Sequence, residues 1–285
     1  MNRYININGE MLPADENVMP ASSRAIYYGD GCFETLVSYK GKFLHFEDHF
    51  IRLQAGLEYL EMKSPFNEEK LQAEIYRLIE KNEMESEEAV IRVQCYREGG
   101  VGYFTISDES GFIISTRPIA PREAGINLKS VSVRAIPSVA LERKVKLSNS
   151  INYIKAAQEA RKKGGDDALM LTLDSHISET TIANLFWIKR DRIFTPSTDC
   201  DLLPGVTRSI IIKLIKKDLG LSLEEGKFSL QDMYEAEAAF CCNSVMELKS
   251  VSTLDNHTFE GAHSVLKKLC EEFQLYKKAN LQDGR

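Results

Sequence analysis

The chain has 285 residues, a formal net charge of −6, 43% apolar and 27% charged residues. That is the balance of a soluble globular protein, and the length sets two domains as the starting expectation. The acidic balance and the lack of a dense Lys/Arg run argue against nucleic acid as a partner. No segment reaches the ~20 apolar residues that span a bilayer, so no membrane role is expected. The N-terminus, MNRYININGEML, alternates like a strand and lacks the apolar run of a signal peptide, which points to a cytoplasmic protein. The six cysteines (32, 95, 200, 241, 242, 270) form no Cys-x-x-Cys pair and read as free thiols of a reducing compartment. The five histidines show no ligand spacing, so no metal is expected.

In chain order, Tyr4–Ile7 reads as a strand ending at the hairpin signal Asn8-Gly9. Cys32–Tyr39 and Lys42–Phe46 read as strands around the tight turn Lys40-Gly41. Glu47–Leu60 carries Phe50, Leu53, Leu57 and Leu60 at helical spacing, and Phe66–Ile79 repeats this with Leu71, Ile75, Leu78 and Ile79. Ala89–Tyr96 and Gly111–Thr116 follow as strands. Two prolines within Arg117–Arg122 mark a linker, which divides the chain into 1–118, a linker at 119–124, and 125–285. Beyond it come a strand at Ile126–Ala135 and a helix at Ile151–Lys163 closed by Gly164-Gly165. Strands are expected at Ala168–Leu173, Ala183–Ile188, Arg192–Phe194 and Ala238–Cys242, and helices at Thr207–Leu219 and His263–Tyr276. Strands and helices mix without strict alternation, and no G-x-G-x-x-G turn occurs, so the expected class is α+β rather than a doubly wound dinucleotide fold.

Three features between Lys146 and Arg208 suggest chemistry, each beside a plain structural reading. Lys146 lies in VKLSN before a helix; most lysines in such a place are simply solvated, and Lys144 and Lys155 compete on position. A buried lysine beside a cationic cofactor would be a competent amine nucleophile and proton carrier. Glu179, 33 residues later in HISETTIAN, is either a turn residue or a partner for a ring nitrogen. Leu203-Pro204-Gly205-Val206-Thr207-Arg208 is either an ordinary helix start or an anion-binding one, since free N–H groups of a first turn attract phosphate. Asn243 and Ser244 follow a strand and offer further donors.

Taken in order, these segments resemble the class IV aminotransferase family of pyridoxal-phosphate enzymes, fold type IV. The segment SSRAIYYGDGCFETL at 22–36 resembles its D-R-G-x-x-(F/Y)-G-D-G-x-(F/Y)-E motif, and HFIRL at 49–53 its H-x-x-R-L. SETTIANLFW and LPGVTR resemble two more of its motifs. The resemblance implies two α/β domains with the cofactor in the crevice between them, the lysine in the C-terminal one, and a homodimer. It implies that Lys146 forms the Schiff base with pyridoxal 5'-phosphate and that Glu179 pairs with the pyridine nitrogen. Arg52, Gly205, Val206, Thr207, Asn243 and Ser244 would hold the cofactor, and Tyr28, Phe33 and Arg97 would line the pocket of a small amino substrate. GDGCF, ANLFW and CNSVMEL look most like 4-amino-4-deoxychorismate lyases, which make 4-aminobenzoate and pyruvate for folate synthesis. The alternative is an aminotransferase on branched-chain or other small amino acids with 2-oxoglutarate. A non-catalytic binding module is the remote alternative, opposed by the retained Lys146, Arg52 and Glu179. Val101 stands where some lyases carry arginine, and Ser150 where branched-chain enzymes usually carry tyrosine.

Overall fold

A computed structural model describes residues 4–16, 19–104, 107–120 and 125–283. It divides into two units, one of Met1–Ala120, Val145–Asn149 and Asn280–Arg285, the other of Pro121–Lys144 and Ser150–Ala279. Residues 121–124 of the expected linker lie outside the described residues.

The first unit contains β1 (Tyr4–Ile7), β2 (Glu10–Pro13), α1 (Arg24–Tyr28), β3 (Gly31–Tyr39), β4 (Lys42–Leu44), α2 (Phe46–Tyr59), α3 (Glu68–Lys81), β5 (Glu88–Arg97) and β6 (Ser110–Pro118). Asn8 and Gly9 turn β1 into β2 with positive φ at both residues, as a two-residue hairpin of type I′ requires. The helices bury the stripes read from the sequence: Leu53 and Leu57 on α2, and Leu71, Ile75, Leu78 and Ile79 on α3. Asn67 caps α3 by accepting from the Lys70 N–H at 2.9 Å.

The second unit runs through β7 (Ile126–Arg134), α4 (Ile151–Lys162), β8 (Asp167–Leu171), β9 (Ile177–Thr180), β10 (Asn184–Lys189), β11 (Arg192–Pro196), α5 (Val206–Lys213), β12 (Leu223–Gly226), α6 (Leu230–Tyr234), β13 (Ala238–Asn243), β14 (Glu247–Leu254), β15 (His257–Thr258) and α7 (Ser264–Asn280). A π-helical turn, Leu214–Asp218, continues α5. The final strand, β16 (Leu281–Asp283), pairs with β4, so the first sheet has the order β16-β4-β3-β5-β6-β1-β2. The second sheet runs β12-β11-β10-β13-β14-β7-β8-β9, with β15 on β14. It mixes parallel pairs (β11/β12, β14/β7, β7/β8) with antiparallel ones. This is the expected α+β class. Trp187 anchors its core, stacked on Phe194 and edge-on to Phe228.

Lys146 falls in the first unit, where the sequence reading placed it in the C-terminal one. The reason is backbone pairing. Phe33 N–H donates to the Lys146 carbonyl and Ser148 N–H to the Gly31 carbonyl, both at 2.9 Å, which lays Lys146–Ser148 against the start of β3. No helix among the described residues is long and apolar enough to cross a membrane.

Candidate active site

In the first unit, the GDG turn organises the surroundings of Lys146. Gly29 closes α1 in the left-handed conformation, at φ 64°. Asp30 accepts from Arg24 Nε at 2.7 Å and from Arg97 Nε at 3.0 Å. Gly31 must be glycine, because a Cβ there would sit 2.2 Å from the Cys95 carbonyl oxygen on β5. The strand so placed presents Phe33 opposite Gln94. Gln94 Nε2 donates to Ser148 Oγ at 2.6 Å, which ties the lysine segment to the same sheet from its side-chain face.

Two cations share the Phe33 ring. Lys146 Nζ lies 4.6 Å from the ring centroid and the Arg92 guanidinium carbon 3.7 Å from it. Arg92 was not singled out from the sequence; Arg97 was. The structure assigns Arg97 other work. It is buried, and its guanidinium is bound to Asp30 and to the Ser107 and Leu60 carbonyls, so it fixes the turn rather than offering a free charge to a substrate. Strand alternation puts residues 92 and 97 on opposite faces of β5, and the face with Phe33 is that of Arg92 and Gln94. Tyr28 is half-exposed at the end of α1, its ring 5.2 Å from that of Tyr103 and 5.0 Å from the Arg24 guanidinium.

Arg52 is held by Glu34. Its Nε donates to Glu34 Oε1 at 2.6 Å and its Nη2 to Oε2 at 2.9 Å, while His49 Nδ1 meets Oε2 at 2.9 Å. The helical spacing of HFIRL puts both residues on one face of α2, towards β3. Burial raises the Glu34 pKa, but the Arg52 charge and the hydrogen bonds from His49 and Arg52 outweigh it and hold the carboxyl at about 2. Glu34 ties Arg52 and His49 together, and the F-E and H-x-x-R-L motifs are the two sides of this cluster.

In the second unit, Glu179 lies on β9 and is 5% exposed. Its Oε1 accepts from the Tyr153 hydroxyl at 2.8 Å; its Oε2 accepts from the Leu203 N–H at 3.1 Å and from Asn184 Nδ2 at 3.3 Å. Arg143 Nη2 is 3.7 Å from Oε1. Asn184, the asparagine of ANLFW, also donates to the Leu203 carbonyl at 2.8 Å. Its Oδ1 would lie 2.2 Å from any Cβ at residue 205, which is why glycine precedes α5. Asn184, Tyr153 and Arg143 are residues that the sequence reading did not single out, although Asn184 stood in a quoted motif.

Gly205 is the N-cap of α5, with no side-chain cap and no acidic residue in the first turn. Val206 and Thr207 begin the helix, and Thr207 Oγ1 lies 3.5 Å from Ser244 Oγ in the turn after β13. Asn243 supports that turn: its Oδ1 accepts from the Val245 and Met246 N–H groups, and its Nδ2 donates to the Ile182 carbonyl. It therefore shapes the loop carrying Ser244. An open helix N-terminus with two adjoining hydroxyls is the donor set a phosphate needs, and a buried, donor-ringed carboxylate is the one a protonated ring nitrogen needs. These residues fit pyridoxal phosphate.

The amino-transferase class IV family model matches residues 31–254. A probable branched-chain-amino-acid aminotransferase of Rickettsia bellii is 30% identical over 95% of this chain and 94% of its own length. An aminodeoxychorismate lyase of Vibrio harveyi is also 30% identical, over 82% of this chain and 86% of its own. The branched-chain amino acid aminotransferase of Escherichia coli has a similar fold, with a TM-score of 0.90 at 25% identity over 99% of this chain and 97% of that one. The chain belongs to the class IV aminotransferase family and is a fold type IV, pyridoxal-phosphate-dependent enzyme of the transaminase or lyase kind.

Proposed function

We propose that this enzyme is a 4-amino-4-deoxychorismate lyase, releasing 4-aminobenzoate and pyruvate. The observation that carries the reading is Arg92 on the Phe33 ring that Lys146 also faces. The lyase substrate carries one carboxylate on its ring and another on its enolpyruvyl group, and a guanidinium near the reacting amine suits such an anion better than a branched alkyl side chain. The GDG-Phe33 and Asn243-Ser244 segments support the same reading.

Pyridoxal phosphate, when bound, withdraws electrons from the carbon bearing the substrate amine and so makes its proton removable. Lys146 Nζ would be the amine that holds the cofactor and the base that accepts the proton from that carbon. In the lyase it would return the proton to the methylene carbon of the enolpyruvyl group while the ring carbon–oxygen bond breaks, which releases pyruvate and leaves the ring aromatic. Glu179 would pair with the pyridine nitrogen and hold the proton there. The Val206 N–H, Thr207 and Ser244 would hold the phosphate, with Gly205 letting the backbone approach it and Asn243 keeping Ser244 in place; Arg52 would supply a cation to the same group. Phe33 and Tyr28 flank the substrate. The working form is a homodimer.

A second reading, transamination of branched-chain or other small amino acids with 2-oxoglutarate, is favoured by the relative from Rickettsia bellii. In it Arg92 would meet the second carboxylate of 2-oxoglutarate. Supplying aminodeoxychorismate and following 4-aminobenzoate and pyruvate, with leucine or valine plus 2-oxoglutarate in parallel, separates the two. Aromatic product without keto-acid exchange supports the lyase; fast leucine exchange with no aromatic product replaces it with the transaminase.

A further inference from the structure

Glu179 sits inside the second unit, where an unpartnered carboxylate would take up a proton rather than remain charged. Four segments supply donors to it. Tyr153 comes from α4, Arg143 from the stretch just before Val145, Asn184 from β10 and the Leu203 N–H from the loop before α5. Arg143 and Tyr153 are charged or titratable groups facing it, and Asn184 and Leu203 add neutral donors.

The two are joined to each other. Arg143 Nη2 donates to the Tyr153 hydroxyl, and that hydroxyl donates to Glu179 Oε1. The Arg143 guanidinium carbon lies 5.3 Å from the Tyr153 ring centroid. Arg143 is only 6% exposed, yet its Nε has no hydrogen-bond partner among the described residues. Burying an incompletely satisfied guanidinium is costly, and packing alone does not call for a charge there. The charge is placed where it can polarise the phenol and oppose protonation of the carboxylate.

We infer that Arg143 and Tyr153 are positioning residues for Glu179, which keep its carboxylate ionised and aim it by a guanidinium–phenol–carboxylate chain. The inference rests on the proposed role of Glu179 for its meaning, but its geometry is independent of the cofactor. Tyr153 fixes the orientation through Oε1 while Asn184 and Leu203 fix Oε2, so the carboxylate is clamped from both oxygens. With the clamp intact, Glu179 meets the pyridine nitrogen already charged, with no proton to lose first.

The test reads the carboxylate directly. Cofactor-free protein labelled with 13C at glutamate side chains, with Glu179 assigned by Glu179→Gln, is titrated by NMR as wild type, Tyr153→Phe, Arg143→Gln and Arg143→Lys. Removing either partner should raise the Glu179 midpoint, by about one pH unit for Arg143→Gln and less for Tyr153→Phe. Arg143→Lys should bring it back towards wild type. The acid limb of pyridoxal phosphate binding, followed by protein fluorescence, should move up by the same amount. A Glu179 midpoint unchanged in variants that retain the wild-type far-ultraviolet spectrum overturns the inference. Should Arg143→Gln fail to fold, Tyr153→Phe, which removes only a hydroxyl, decides alone. A wild type that binds no pyridoxal phosphate, with the Glu179 midpoint shifted in the variants as stated, would overturn the functional reading and leave this one standing.

Discussion

Glu34 shows how a single buried carboxylate can support a binding residue. Its pKa falls from 4.5 to about 2 in the folded chain, which at about 1.4 kcal/mol per pH unit amounts to about 3 kcal/mol. Because the folded value is the lower one, this stability is fully present above pH 4.5 and is lost as the pH falls towards 2. Urea midpoints measured across that window should drop steeply in the wild type and less steeply in Glu34→Gln. Equal slopes would remove Glu34 from the account. Glu159, also held at about 2, titrates in the same window, so the comparison with the variant is the informative one. The same cluster changes what Arg52→Ala means. Besides loosening the proposed phosphate contact, it strands a buried carboxylate, at a cost of about 3–5 kcal/mol. Chemical denaturation of the cofactor-free protein should show that loss; an unchanged midpoint would mean that Arg52 does not stabilise Glu34.

At the scale of elements, the helix-opening Gly205 is required by Asn184 rather than by its own backbone. Its φ of −70° is open to any residue, but a Cβ would meet Asn184 Oδ1 at 2.2 Å. Gly205→Ala should therefore destabilise the fold by about 1–3 kcal/mol and displace Asn184 from Glu179 and Leu203. In an Asn184→Ala background the same change should cost much less, and a double-mutant cycle with no coupling would contradict this. The elements themselves were legible where periodicity is strong: α2 and α3, β3, β5 and β10. β9 was not, because Ile-Ser-Glu-Thr reads as a polar turn, yet all four residues are buried and the carboxylate and Thr180 hydroxyl are satisfied by long-range or turn partners. Nor could the sequence tell which face of β5 bears the site. Period-two alternation separates Arg92 from Arg97 but carries no sign, and only the pairing of Phe33 with Gln94 supplies it.

For the whole molecule, chain order proved a poor guide to grouping. Lys146 belongs to the first unit through hydrogen bonds to β3, a strand more than a hundred residues earlier, and β16 returns to β4. The motifs were nevertheless readable, since residues in them answer to local requirements: Gly31 to a carbonyl, Asp30 to two arginines, Gly205 to Asn184. Residues at the surface of the first unit, Ile26, Tyr27, Val101, Tyr103 and Phe104, expose large apolar side chains, which is consistent with the proposed homodimer. The claim on which the account turns is the identity of the attachment lysine. Purified enzyme loaded with pyridoxal phosphate and reduced with borohydride should carry a pyridoxyl group on a single peptide, at Lys146, and Lys146→Arg should remain unlabelled and colourless. Label on Lys144 or Lys155, or undiminished labelling of the Lys146→Arg protein, would contradict it.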